Sequence, residues 1–306
     1  MAYTDRADPN YLGDLFLIGA NQTPFLNMIG GLTGGKASKS FQFPVAQPYS
    51  LTAASQNTQS EAVAAAVGTL DTIVRTQDYN VCQIMKYDVG TSYAKQSTAG
   101  EFSGIQVIGD QPVQDELSFQ KSAALRQMAI DVEYSFLQGT FVDSSTPATN
   151  QTTKGIIAAT TTNAVAAGTV DLSKALIQEL LRDMADAGSQ FINPVIFVNA
   201  FQKQMISDLY GYAPADRMVG GVNINQIETD FARLGIVYAP LMATDTLSIV
   251  EMSVCSPVFV PYDGQAVSWT DTGITAALKG GFWYSQVGLD FGPEEYHGKI
   301  TGLTTS

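Results

Sequence analysis

Between Gln111 and Gln138 the chain reads QPVQDELSFQKSAALRQMAIDVEYSFLQ, its longest helical pattern. Leu117, Ala124, Leu125, Met128, Val132 and Phe136 recur at three-, four- and seven-residue steps with no glycine or proline between them. Pro112 stands where a first-turn proline is tolerated, and Asp115 and Glu116 suit the positive start of a helix. Gly139 stands where a left-handed cap is expected. Such a helix is roughly 40 Å long, beyond the usual three or four turns. Lys121, Arg126, Asp131 and Glu133 fall on its outer face. Alone, it reads as the core helix of an α+β protein. The flanking sequence decides what it supports.

Residues 1 to about 35 alternate short apolar patches with breakers, too many for a core of their own. Thr23 is expected to cap a short helix with Pro24 at its first position, and Gly30–Gly31 to end it. This part reads as an arm laid across another surface. In GGLTGGKAS, Gly30, Gly35 and Lys36 have the spacing of a phosphate-binding loop. Ala37 replaces the hydroxyl residue that would hold magnesium, and a helix precedes the segment where a strand should. We reject the nucleotide reading. A strand with Phe41, Phe43 and Val45 follows, then a polar, Ala-rich stretch, then a second strand, TIVRTQ (72–77). Two strands joined by a long tip with little to bury predict a projecting hairpin.

VCQIMKYDVGTSY (81–93) predicts a further strand, and the linker DSSTPATNQTT after the long helix marks a lobe boundary. The second lobe opens with DLSKALIQELLRDMADAG: Asp171 as N-cap, Leu172, Leu176, Leu180 and Met184 as the inner face, Gly188 as the stop. PVIFVN (194–199) predicts a buried strand, and AFQKQMISDLYG a helix with Phe201, Met205 and Leu209 inward. GYAPADRMVGG reads as a loop. Strands follow in NINQIETDFARLGIVYAP, TLSIVEMS and PVFVPYDG, with one or two more near the C-terminus. The order implies a small sheet flanked by helices.

Composition excludes several functions. The chain of 306 residues carries 16 Lys+Arg against 29 Asp+Glu, a net charge of −13, with no basic block to grip phosphates. Only 15% of residues are charged, which suits a surface covered by neighbours. Cys82 and Cys255 are too few for a disulfide framework or a thiolate metal site and read as reduced core residues. His297 is the only histidine, which rules out a histidine metal cluster, and GPEEYHGK suggests that it faces solvent. No cofactor or metal is expected. No window of eighteen apolar residues is present, so no membrane span is expected.

An arm, a projecting hairpin, a return strand, a long helix and an α+β lobe, in that order, resemble the major capsid proteins of tailed bacteriophages, the Hong Kong 97-like fold. The phrases that carry the resemblance are TPFLNMIGG, ELSFQKSAALRQMAIDVEYSFLQGT, NPVIFVNAFQKQMISDLYG, VNINQIETDFARLGIVYAP with LSIVEMS, and EEYHGKITGL. The family implies an N-terminal arm (1–38), an extended loop (39–80) and a peripheral domain (81–165) with its spine helix (111–138). It also implies an axial domain (166–287), with a loop near Gly211–Gly221 at the capsomer centre, and a C-terminal return to the peripheral domain (288–306). Copies would assemble as hexamers and pentamers into an icosahedral shell around double-stranded DNA, without sequence-specific binding and without a membrane. The implied partners are a portal at one vertex, a separate scaffolding protein (no charged helical segment precedes the arm) and decoration proteins. The subunits would be made in the bacterial host cytoplasm. Phe41, Phe43, Arg75 and Arg217 are the expected subunit contacts, the two arginines because cations are scarce and acids on neighbours plentiful. Lys36 and Lys39 lie near the hairpin base, but nothing marks either as cross-linking.

Three other readings compete. A nanocompartment shell would share the fold and enclose enzymes. A hydrolase would use Asp131 with Glu133, or Glu294 with Glu295, but neighbours at these spacings diverge on a helix or strand. An extracellular adhesin fits the Tyr, Thr and Asn content but lacks a secretion signal and paired cysteines.

Overall fold

The computed structural model describes residues 22–49, 75–93, 116–144, 149–210, 215–219, 222–275 and 277–305, with single positions at 51, 54, 56, 60, 61 and 73. The arm before residue 22, most of the hairpin tip, the helix start at Pro112 and Asp115, and the Gly211–Gly221 loop apart from 215–219 lie outside the described residues.

In chain order the helices are α1 (Pro24–Met28), α2 (Glu116–Gln138), α3 (Ile156–Ala159), α4 (Lys174–Asp186) and α5 (Ala200–Tyr210). The strands are β1 (Lys36–Ala37), β2 (Gln42–Ala46), β3 (Asp78–Val81), β4 (Gln83–Ser92), β5 (Ala164–Val170), β6 (Pro194–Val198), β7 (Ala215–Val219) and β8 (Val222–Glu228). They continue with β9 (Arg233–Tyr238), β10 (Leu247–Glu251), β11 (Ser256–Phe259), β12 (Val267–Thr275), β13 (Leu278–Asp290) and β14 (Gly298–Leu303). They form a five-stranded sheet, a seven-stranded sheet and the hairpin β2–β3. The fold is α+β, as expected.

β13 is the axis of the five-stranded sheet. One edge pairs with β4 from Leu278↔Ser92 to Val287↔Gln83. The other takes β12 and then β11, and β1 adds in parallel to β11. α2 lies on the face to which Met85 and Val89 of β4 turn, leaving Ile84, Lys86 and Asp88 to solvent by the two-residue alternation of a strand. Polar anchors fix the helix there. Trp283 Nε1 donates to the Lys121 carbonyl at 3.0 Å, Gln83 Nε2 to Ser135 Oγ at 2.9 Å, and the Tyr87 hydroxyl to Asp131.

The seven-stranded sheet runs β5-β14-β10-β6-β9-β8-β7. β6 is buried along its whole length because both faces are covered, which is why it reads as an unbroken apolar run. Val195 and Phe197 face a core built with Met128, Val132 and Phe136 of α2, and that core also holds Met85, Val287 and Leu289 of the other sheet. Ile196 and Val198 face a second core under α4 and α5, with Ile177, Leu180, Leu181, Met184 and Ile206. The long helix therefore joins the two sheets through one shared core.

Several local expectations need correction. Gly139 is not left-handed; it is required because a Cβ there would stand 2.2 Å from the Ser135 carbonyl oxygen and 2.7 Å from that of Thr153. The cap of α4 is Ser173, whose hydroxyl accepts from Leu176 N–H, while Asp171 accepts from the Thr304 hydroxyl. α5 buries Gln202 and Ile206, with Phe201, Met205 and Leu209 at the margins. Among the described residues β2 pairs with β3; of the expected strand 72–77, residues 72 and 74 lie outside the described residues and Arg75 makes an isolated bridge to Tyr49. Residues 215–219, expected as loop, pair with β8. β11, β12 and β13 share a sheet with β4, and β14 shares one with β10 and β6.

Candidate assembly surfaces

The hairpin base is held by two buried groups of different kinds. Phe43 inserts its ring into a small cluster with Cys82 and Val258, flanked by Phe41, Val45 and Val260. Gly288 opposite it has no room for a methyl, since a Cβ would lie 2.7 Å from that ring. Asn80, the second group, is fully buried. Its Nδ2 donates to the Leu289 carbonyl at 2.7 Å and to that of Lys154 at 3.1 Å, and its Oδ1 accepts from Val81 N–H and Lys154 N–H. Leu289 lies beyond the last β4–β13 pair, so Asn80 takes its carbonyl and Thr153 Oγ1 its N–H where the ladder has stopped. Neither Asn80 nor Thr153 was anticipated from the sequence.

Several apolar side chains of the hairpin are exposed among the described residues. Tyr49, Leu51 and Ile73 are about 60–70% exposed. Tyr79 packs edge-on to Phe141, and a shallow cleft is lined by Gln42, Phe43, Pro44, Gln77 and Tyr79. Of the expected contact residues, Phe41 is half-buried and Arg75 exposed. Phe43 is only 5% exposed and spends its ring on its own chain. Arg217 lies on β7, the edge strand of the seven-stranded sheet, opposite Ile224. The structure does not bring these four together; three belong to the hairpin and one to the far end of the other sheet.

The arm is anchored by a residue placed on the wrong side in the sequence reading. Glu133 faces inward, fully buried, and its carboxylate accepts from the N–H groups of Phe25 and Leu26 at 3.0 and 2.6 Å. These are orphan donors at the start of α1, and the Thr23 side chain expected to serve them does not. Phe25 then stacks edge-on against Phe197 and Phe136. At the C-terminal side, Glu294 accepts from the backbone and hydroxyl groups of both Thr161 and Thr162. Burial alone would raise its pKa; the bonds from Thr162 and Thr161 outweigh that and lower it.

Of the acids considered for hydrolysis, Asp131, Glu133 and Glu294 each have structural partners, Asp131 accepting from Tyr87 and Gln127. His297, expected at the surface, is buried. Its Nδ1 accepts from Glu251 N–H and its Nε2 meets the Phe291 carbonyl, while burial holds its pKa below the usual value. Both cysteines are free and buried, as expected, and burial pushes the Cys82 thiol up to about 12. Among the described residues no group of three or more His, Cys, Asp or Glu could hold a metal ion, and no helix is long and apolar enough to cross a membrane.

The fold recurs in assembled shells. The capsid of a native GTA particle superposes with a TM-score of 0.63 at 12% identity, over 96% of this chain and 95% of that one. The cyanophage A-1(L) capsid gives 0.61 at 13%, over 96% of each. The SrpI encapsulin of Synechococcus elongatus PCC 7942 gives 0.58 at 9%, over 89% and 86%. At these identities the likeness shows the fold alone. No curated protein sequence matches the chain. The sequence itself matches the family described as SU10 major capsid protein over residues 2–304. A match from end to end, on a fold that builds shells, makes the assignment: this chain belongs to the SU10 major capsid protein family and is a structural subunit of a capsid.

Proposed function

We propose that the chain is the repeating subunit of a tailed bacteriophage head, assembling as hexamers and pentamers into an icosahedral shell around double-stranded DNA. The observation that carries this reading is the family match over residues 2–304. The five-stranded sheet with α2 serves as the peripheral domain and the seven-stranded sheet as the axial domain. Residues 1–38 form the arm and 39–80 the extended loop. A net charge of −13 suits an inner wall along which packed DNA moves without adhering. A separate scaffolding protein, a portal at one vertex and decoration proteins complete the particle, which is built in the bacterial cytoplasm.

Arg75 and Phe41 at the hairpin, and Arg217 at the sheet edge, are the proposed contacts between subunits. Phe43 supports the hairpin from below. Charge reversal, Arg75→Glu or Arg217→Glu, is expected to reduce assembly while leaving the circular dichroism and Tm of the subunit unchanged. Assembly at the wild-type level removes that residue from the interface. Particles purified after co-expression with scaffold and portal, or from infected cells, are expected to protect DNA from nuclease. Shells that enclose protein cargo and no DNA would transfer the assignment to a nanocompartment.

A further inference from the structure

Glu133 is a carboxyl side chain buried in the shared core, with no cation paired to it among the described residues. Of the elements packed on α2, α1 (PFLNM) and α3 (IIAA) bring no ionisable group, nor does β6 (PVIFV) across the core, whereas β4 carries Lys86, Tyr87 and Asp88 and β13 carries Lys279, Tyr284 and Asp290, the last paired with Lys36. On the adjoining surfaces, Asp131 is engaged by Tyr87 and Gln127, and Lys86 of β4 turns outward to Asp88. Among the described residues the carboxylate is held by the two amides of α1, at 3.0 and 2.6 Å. A buried carboxyl in this setting is favoured in its neutral form, while two amide bonds favour the charged form. Both forms therefore lie within reach near neutral pH, and the choice bears on the one junction that fixes the arm to the spine helix.

We propose that Glu133 is a proton-linked latch that sets how firmly residues 24–28 are held against α2. It is a property of the single chain and stands whether or not the shell reading does. Burial, which outweighs the bonds from Leu26 and Phe25, moves the docked carboxyl from 4.5 up to about 7. With the arm undocked the group is solvated and returns to 4.5. Between these values the docked state binds more protons than the undocked one, so docking is tightest below 4.5, weakens as pH rises through 7, and is constant above it. The ceiling on the effect, ten raised to that interval, is about 300-fold in the docking equilibrium.

The test is amide hydrogen exchange on the whole chain, read at Leu26 and at Ile29, whose N–H bonds to the Phe25 carbonyl. Protection factors, corrected for the intrinsic effect of pH, are measured at about pH 5 and about pH 8.5 in the native protein and in Glu133→Gln. Between these two pH values the native factors are expected to fall by up to about 75-fold. The variant, whose amide keeps one acceptor and cannot ionise, is expected to start lower and change less than about threefold. Unchanged native factors, or an equal fall in the variant, overturn the proposal. Should the variant fail to fold, the titration of the native Glu133 carboxyl by carbon-13 NMR decides: a midpoint at or above about 6 supports the latch, and one below it refutes it.

Discussion

Replacing Asn80 with alanine tests whether a single buried amide holds the hairpin base to the body of the subunit. The change removes four hydrogen bonds, to Leu289, Val81 and both backbone groups of Lys154. The Leu289 carbonyl and the Val81 amide are buried, and each left without a partner costs about 1–3 kcal/mol. The Lys154 groups are only part-buried and reach water at lower cost. A total of about 4 kcal/mol, at roughly 2 °C per kcal/mol for a chain of this size, lowers Tm by about 8 °C. The assay is thermal unfolding of the unassembled subunit, followed by assembly at a temperature where both proteins are folded. Phe43→Ala holds down the same hairpin, so the pair in a double-mutant cycle is expected to couple by about 0.5–3 kcal/mol. A shift in Tm below about 2 °C, or strict additivity with Phe43→Ala, would show that Asn80 does not anchor the hairpin base.

Other consequences follow from the same geometry. Gly139→Ala drives a methyl against two backbone carbonyls that cannot swing aside, and is expected to cost about 1–3 kcal/mol; denaturant unfolding should show a lower midpoint with unchanged slope. Because the pKa of Glu294 is lowered, its stabilisation is present above about 4.5 and is lost as pH falls through its folded value. Glu294→Gln should flatten the acid limb of the stability profile, and an unaltered limb would contradict the threonine fork. Cys82 and Cys255, both buried with raised thiol pKa values, should resist iodoacetamide in the native subunit and react fully after denaturation.

What was legible in the sequence was whatever repeats over several turns or needs both faces buried. α2 announced itself through five turns of spacing and β6 through five consecutive apolar residues, since neither signal depends on distant partners. Glu133 was misplaced although the signal existed: it stands three residues before Phe136 and four before Leu137, on the inner stripe that the helical period defines. A charge on that stripe reads as outward because its compensating donors are backbone groups more than a hundred residues away. β5 and β12 were missed because small and polar residues fill edge positions without an apolar pattern. The Asn80 anchor was invisible for a similar reason. Its partners lie 74 and 209 residues along the chain, and a lone asparagine before a strand reads as a turn. Among the described residues the strand paired with β2 starts six residues late because TIVRTQ has the stronger β propensity, while the register is set by Phe43 and Asn80 pairing across the hairpin.

The central claim is that this 32.7 kDa chain is built to close into a shell with copies of itself. The most direct measurement is the size and shape of the purified protein, alone and with the proposed scaffolding protein, by light scattering and negative-stain imaging. The account predicts closed icosahedral particles, or hexamers and pentamers that convert to them. A monomer that stays monomeric under both conditions, at high concentration and with added cations, would contradict it.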